Sequence, residues 1–214
     1  GWWVWMQVSE TRNPLWPMPG EPEVLAELDR PGVLWAALGV AFLLSIVTAF
    51  KPQIARFTAI PFALAEGVVL GMISHLYDAQ FDGIVVQAIV ATFGVFLAML
   101  ALYGLRILRA TPRFVKGVVA ATFGVVVLYI GSWLFSLFTD SRSFLHDATP
   151  LGIGISLVIV VIAALNLILD FDFIERGSQN QLPAHMDWYG AFGLVLTLVW
   201  LYLEMLRLLA KLRN

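Results

Sequence analysis

The sequence predicts an all-α integral membrane protein, and three observations carry the prediction. Six apolar runs are each long enough to cross a bilayer, mean hydropathy is +0.84, and only 13% of the 214 residues are charged. A soluble domain carries about 25% charged residues. At roughly 20 apolar residues per crossing, the six runs take up most of the length and leave no room for a soluble catalytic domain. Residues 32–214 are therefore assigned to one polytopic membrane bundle and residues 1–31 to a segment that precedes it.

A net charge of −2 gives no basic face of the kind that nucleic acid requires. Without cysteine, the chain has no disulfide, thiolate chemistry or Cys-ligated metal. The chain opens GWWVWMQ, and Trp2, Trp3 and Trp5 cluster as an aromatic belt does at a membrane interface. These residues read either as the tail of a further, truncated helix or as an interfacial segment. Pro14, Pro17, Pro19 and Pro22 then mark an extramembrane loop too rich in proline for a regular helix.

Pro31 introduces the first complete span, residues 33–50, which Lys51 and Pro52 end. The second, residues 57–77, carries Glu66 with Gly67 and Gly71 after it, the small residues suiting close helix packing. Glu66 lies ~14 Å from the start of its helix and so near the bilayer middle. An unpaired charge there costs several kcal/mol, so Glu66 is expected inside the bundle, protonated or hydrogen-bonded. A third span covers residues 84–105. The basic connection with Arg106, Arg109, Arg113 and Lys116 follows, broken by Pro112, and then a fourth span at residues 114–138.

Thr149 and Pro150 read as the N-cap and first residue of the fifth helix. That helix runs into LNLILDFDFIER, residues 165–176, where Asp170, Asp172, Glu175 and Arg176 fall within seven positions. Two readings stand. The group is a hydrated helix end, or Asp170, four residues past Asn166 on the same face, points inward as a titratable group. The last span, residues 187–209, holds Thr197, Glu204 and Arg207. Glu204 and Arg207 are three apart and can pair, and Arg207, Lys211 and Arg213 read as a solvated terminus. Seven basic residues (Lys51, Arg56, Arg106, Arg109, Arg113, Lys116, Arg176) lie in the loops of one side against three (Arg12, Arg30, Arg142) in those of the other. The first side is assigned to the cytoplasm.

Enzyme chemistry is not expected. Ser74 and His75 are adjacent and project ~100° apart on a helix, so they make no dyad. No GxGD turn, HExxH, P-loop or GxGxxG occurs, and no cofactor is expected.

The segments FALAEGVVLGMIS (62–74), GIVVQAIVATFGVFLAMLALYG (83–104), GIGISLVIVVIAALNLILDFDFIERG (152–177) and WYGAFGLVLTLVWLYLEMLRLL (188–209) resemble the bacterial branch of the Bax inhibitor/YccA-like family. The resemblance runs from about Val33 to the C terminus and implies a seven-helix bundle with a central C-terminal helix. Six full spans and the tail of the first would then be present here. It further implies a pH-sensitive calcium leak in the bacterial inner membrane, in which two aspartates share a proton and an arginine closes the pore. Asp170 matches the first aspartate, Thr197 stands at the second, and Lys51 is nearest to the arginine. Asp172, Glu66 and Glu204 are available as alternative acids, and calcium or another cation is the implied partner. The YccA-like branch also resembles regulators of a membrane AAA protease, which implies a non-conducting alternative with that protease or a larger membrane complex as partner.

Overall fold

The computed structural model describes residues 31–138 and 149–213, and their regular structure is entirely helical. The Trp-rich start, the Pro-rich loop, Arg142 and its loop, and Asn214 lie outside the described residues. Six helices follow in order: α1 Pro31–Phe50, α2 Ala55–Gln80 after a 3-10 turn at Pro52–Ile54, α3 Ile84–Gly104, α4 Pro112–Phe138, α5 Pro150–Gln179 and α6 His185–Arg213. Each is long and apolar enough to cross a membrane. Their outward faces are apolar too, with Phe42, Leu64, Val90, Phe123 and Val158 all exposed. A helix that shows apolar residues all round belongs in lipid. Four of the spans bury 17–28% of their most apolar window, whereas α5 and α6 each bury 44%.

The helix ends follow from local chemistry. At α5, the Thr149 hydroxyl accepts from Gly152 N–H at 3.1 Å with Pro150 in the first turn, as the sequence predicts. Pro112, expected as a breaker, instead starts α4, because the Thr111 side chain caps Phe114 N–H at 3.3 Å. Pro61 lies within α2 on an exposed face, where the one backbone bond it forgoes is tolerated. α5 extends to Gln179 and is capped at Asn180, whose backbone N–H bonds to Arg176 O.

The chain divides into two compact units. The first contains α1, α2 and residues 182–192, the opening of α6. Here α1 packs on α2 through Leu34, Val69 and Met72, and the buried Thr48 and Thr58 hydroxyls bond at 2.6 Å. Phe192 meets Phe62 of α2 edge-on at 4.8 Å. Apolar contact with a neighbour differs little from contact with lipid, so these polar and close-packed contacts specify the pairing.

The second unit contains α3, α4, α5 and α6 from Gly193 onward. α3 and α4 both pack on α5, with Phe171 held between Phe96 and Tyr103. Asn166 of α5 donates to Thr122 of α4 at 2.9 Å and to its own helix at Ile162 O, 2.8 Å. Lys211 corrects the sequence reading. It is buried rather than solvated, donating to Gly152 O at 3.0 Å and Ser156 Oγ at 2.8 Å, and so fastens the end of α6 to the start of α5. Lys211→Ala is expected to cost about 1–3 kcal/mol by leaving those acceptors unsatisfied, read as a lowered thermal midpoint in detergent.

α3 closes with a helix-ending motif of unusual composition. Ile107 N–H reaches Leu102 O at 3.0 Å and Arg106 N–H reaches Tyr103 O at 2.9 Å, the paired bonds of a Schellman cap. Arg106 takes the left-handed position, with φ 59°, which glycine usually fills. A side chain there costs roughly 1–2 kcal/mol.

Candidate functional site

The helix α5 carries the acids of residues 165–176 in two different directions, because two positions turn a helix by ~200°. Asp172 faces the helix end, where it pairs with Arg176 at 2.8 Å across one turn. Glu175 accepts from Tyr103 of α3 and from Gln179 at 3.0 Å. These contacts match the hydrated-end reading for that part of the stretch. Asp170 does not. α5 continues for nine residues beyond it, ~14 Å, and the Asp170 carboxyl is turned away from the helix end into the second unit, where Oδ2 is buried.

The Asp170 carboxyl sits against α6 inside the second unit. A methyl placed on Gly193 would lie 3.7 Å from Asp170 Oδ1, and Thr197, one turn further along α6 and buried, hydrogen-bonds the carboxyl through its hydroxyl. Gly193 and Thr197 are four apart and share one face, so the carboxyl lies along a small-residue stretch of α6 with the Thr197 hydroxyl as its polar contact. Asp170 Oδ2 is buried and has no hydrogen-bond partner among the described residues. A carboxyl with one oxygen engaged and the other bare can hold a proton or meet a cation. Asn166, one turn before it, directs its amide to Thr122 and Ile162 instead.

Glu204 is the chemical opposite. It is 2% exposed, yet both oxygens are engaged: Oε1 accepts from Tyr129 at 2.6 Å and Trp200 at 3.3 Å, and Arg207 reaches the two oxygens at 2.9 and 3.1 Å. Arg207 also bonds the Tyr129 hydroxyl and stacks over its ring at 5.1 Å. The i,i+3 pairing expected from sequence is present. It forms part of a clasp between α4 and α6, which the sequence does not display.

In the first unit, Glu66 is half-buried on α2, and no hydrogen bond or ion pair joins it to another described residue. Of the two expectations for Glu66, a protonated or a hydrogen-bonded carboxyl, the second finds no hydrogen-bond partner among the described residues. Glu66→Gln and Glu66→Ala are accordingly expected to alter thermal stability by similar amounts, within about 1 kcal/mol, since neither strands a partner. A much larger loss for alanine would reveal one. Lys51 is exposed between α1 and the 3-10 turn, its backbone N–H bonded to Val47 O at 2.9 Å. Among the described residues, no three His, Cys, Asp or Glu side chains group as metal ligands.

A family model described as Bax inhibitor 1 like matches residues 2–214. No curated protein and no solved structure matches the chain. With a match over nearly its whole length, this multi-pass membrane protein belongs to the Bax inhibitor 1 like family.

Proposed function

We propose that the protein is a pH-sensitive cation leak, with calcium as the cation, and that it works in a bacterial inner membrane without enzymatic activity. The single observation behind this reading is the bare, buried Oδ2 of Asp170 inside a membrane span. A carboxylate oxygen suits a hard cation, but calcium fills its shell with six to eight oxygens. One carboxyl beside one threonine therefore makes a place of passage rather than a storage site, and weak binding is what conduction needs. Protonation removes the charge that attracts the cation, which makes flux depend on pH. Purified protein in liposomes loaded with a calcium dye tests this reading. Calcium entry above that of empty liposomes, changing between about pH 6 and about pH 8, is expected.

A second reading, a non-conducting regulator bound to a membrane AAA protease or larger complex, draws on Thr197, which cannot ionise and so cannot share a proton with Asp170. Absence of flux together with a stoichiometric co-purified membrane partner favours it over the leak.

A further inference from the structure

We propose that the cleft between the end of α3, the α3–α4 connection and the end of α5 binds the phosphate head group of an anionic phospholipid, held by Arg106 and Arg109. The cleft has a volume of about 730 Å³ and lies wholly within the second unit. Its two acids are already engaged. Asp172 pairs with Arg176, and Glu175 accepts from Tyr103 and Gln179. Arg176 spends a further donor on Ala110 O at 3.4 Å. That leaves Arg106 and Arg109, both exposed and both lining the cleft, and neither is joined to an acid among the described residues. Arg109 gives only Nε, to Arg106 O at 3.3 Å. Its terminal nitrogens remain available, and two guanidinium forks beside one cleft match the geometry of a phosphate.

Position and polarity identify the source of that phosphate. The connection joins the end of one membrane span, at Gly104, to the start of the next, at Pro112, which sets it at the depth of the lipid head groups. Leu105 and Ile107 alternate with Arg106 and are 72% and 65% exposed, and Leu100 and Ile174 line the cleft itself. A free anion has no use for such apolar surface, whereas a phospholipid presents a charged head beside its acyl chains. Arg113 and Lys116, exposed at the start of α4, add positive charge nearby.

The left-handed backbone at Arg106 provides a clean variant, because Arg106→Gly removes the cation while relaxing the backbone it strains. Full-length protein in detergent is to be titrated with dioleoyl-phosphatidylglycerol, dioleoyl-phosphatidylcholine or inorganic phosphate. Thermal midpoint and lipid retention in native mass spectrometry are the readouts. Phosphatidylglycerol is expected to raise the midpoint by about 5 °C and to stay bound, with little effect from the other two. The double variant R106G/R109Q should keep its lipid-free midpoint and lose the shift. If it fails to fold, Arg109→Gln alone, together with abolition of the wild-type shift by high salt, carries the test. Equal stabilisation by phosphatidylcholine, a full shift from inorganic phosphate alone, or an undiminished phosphatidylglycerol shift in the variants would overturn the proposal. A flux assay that fails leaves this outcome untouched, since the cleft does not include Asp170.

Discussion

Asp170→Asn is expected to hold cation flux at neutral pH in the state that the wild type reaches in acid, and to flatten the pH profile. The substitution keeps the size of the side chain and the acceptor for Thr197 while removing the charge that a proton would remove. The sign follows from this equivalence: lowering the pH protonates the carboxylate, the site loses its attraction for a cation, and asparagine fixes that condition at every pH. The wild-type profile should follow a single proton, because the neighbour across the helix contact is a threonine. A proton-sharing pair would show two coupled steps. Asp172→Asn and Glu204→Gln serve as controls. Both of those acids are already matched to arginines, at 2.8 and 2.9 Å, and their substitution should leave the profile in place. An unchanged profile in Asp170→Asn, combined with loss of pH dependence in either control, would move the sensor away from Asp170.

The largest loss of stability is expected at Glu204. Glu204→Ala removes the carboxylate paired with Arg207 and the acceptor of the Tyr129 hydroxyl and the Trp200 indole N–H at once. Removing one partner of a buried ion pair costs about 3–5 kcal/mol. Arg207 retains 27% exposure and can turn toward the membrane surface, so the lower end of that range, about 3 kcal/mol, is expected. Glu204→Gln keeps an acceptor for Tyr129 and should cost about 1 kcal/mol. Thermal unfolding in detergent separates the two variants. Equal losses would mean that the clasp between α4 and α6 contributes little.

The features legible in the sequence were those whose causes are local. Apolar runs located six spans, Thr149 and Pro150 located the start of α5, and the three-residue spacing of Glu204 and Arg207 located their pair. Contacts between distant residues were not legible. Lys211 looks solvated because it stands among cations near the chain end, and its partners are 59 and 55 positions away. Tyr129 reaches Glu204 across 75 positions. Gly193 carries no side-chain signal at all, although it lies beside the Asp170 carboxyl on α6. The cap of α3 was hidden for a related reason: the position that announces itself when filled by glycine is filled by Arg106. Within residues 165–176, helical geometry separates Asp170 from Asp172, but charge density alone does not say which of them turns inward.

The measurement that bears most directly on Asp170 as a cation-passing carboxyl is the current across a planar bilayer holding the purified protein, with calcium as the sole cation. A conductance above the protein-free bilayer is expected, changing with pH between about 6 and about 8 along a one-proton curve, and losing that dependence in Asp170→Asn. A membrane whose current matches the protein-free bilayer across that range would contradict it.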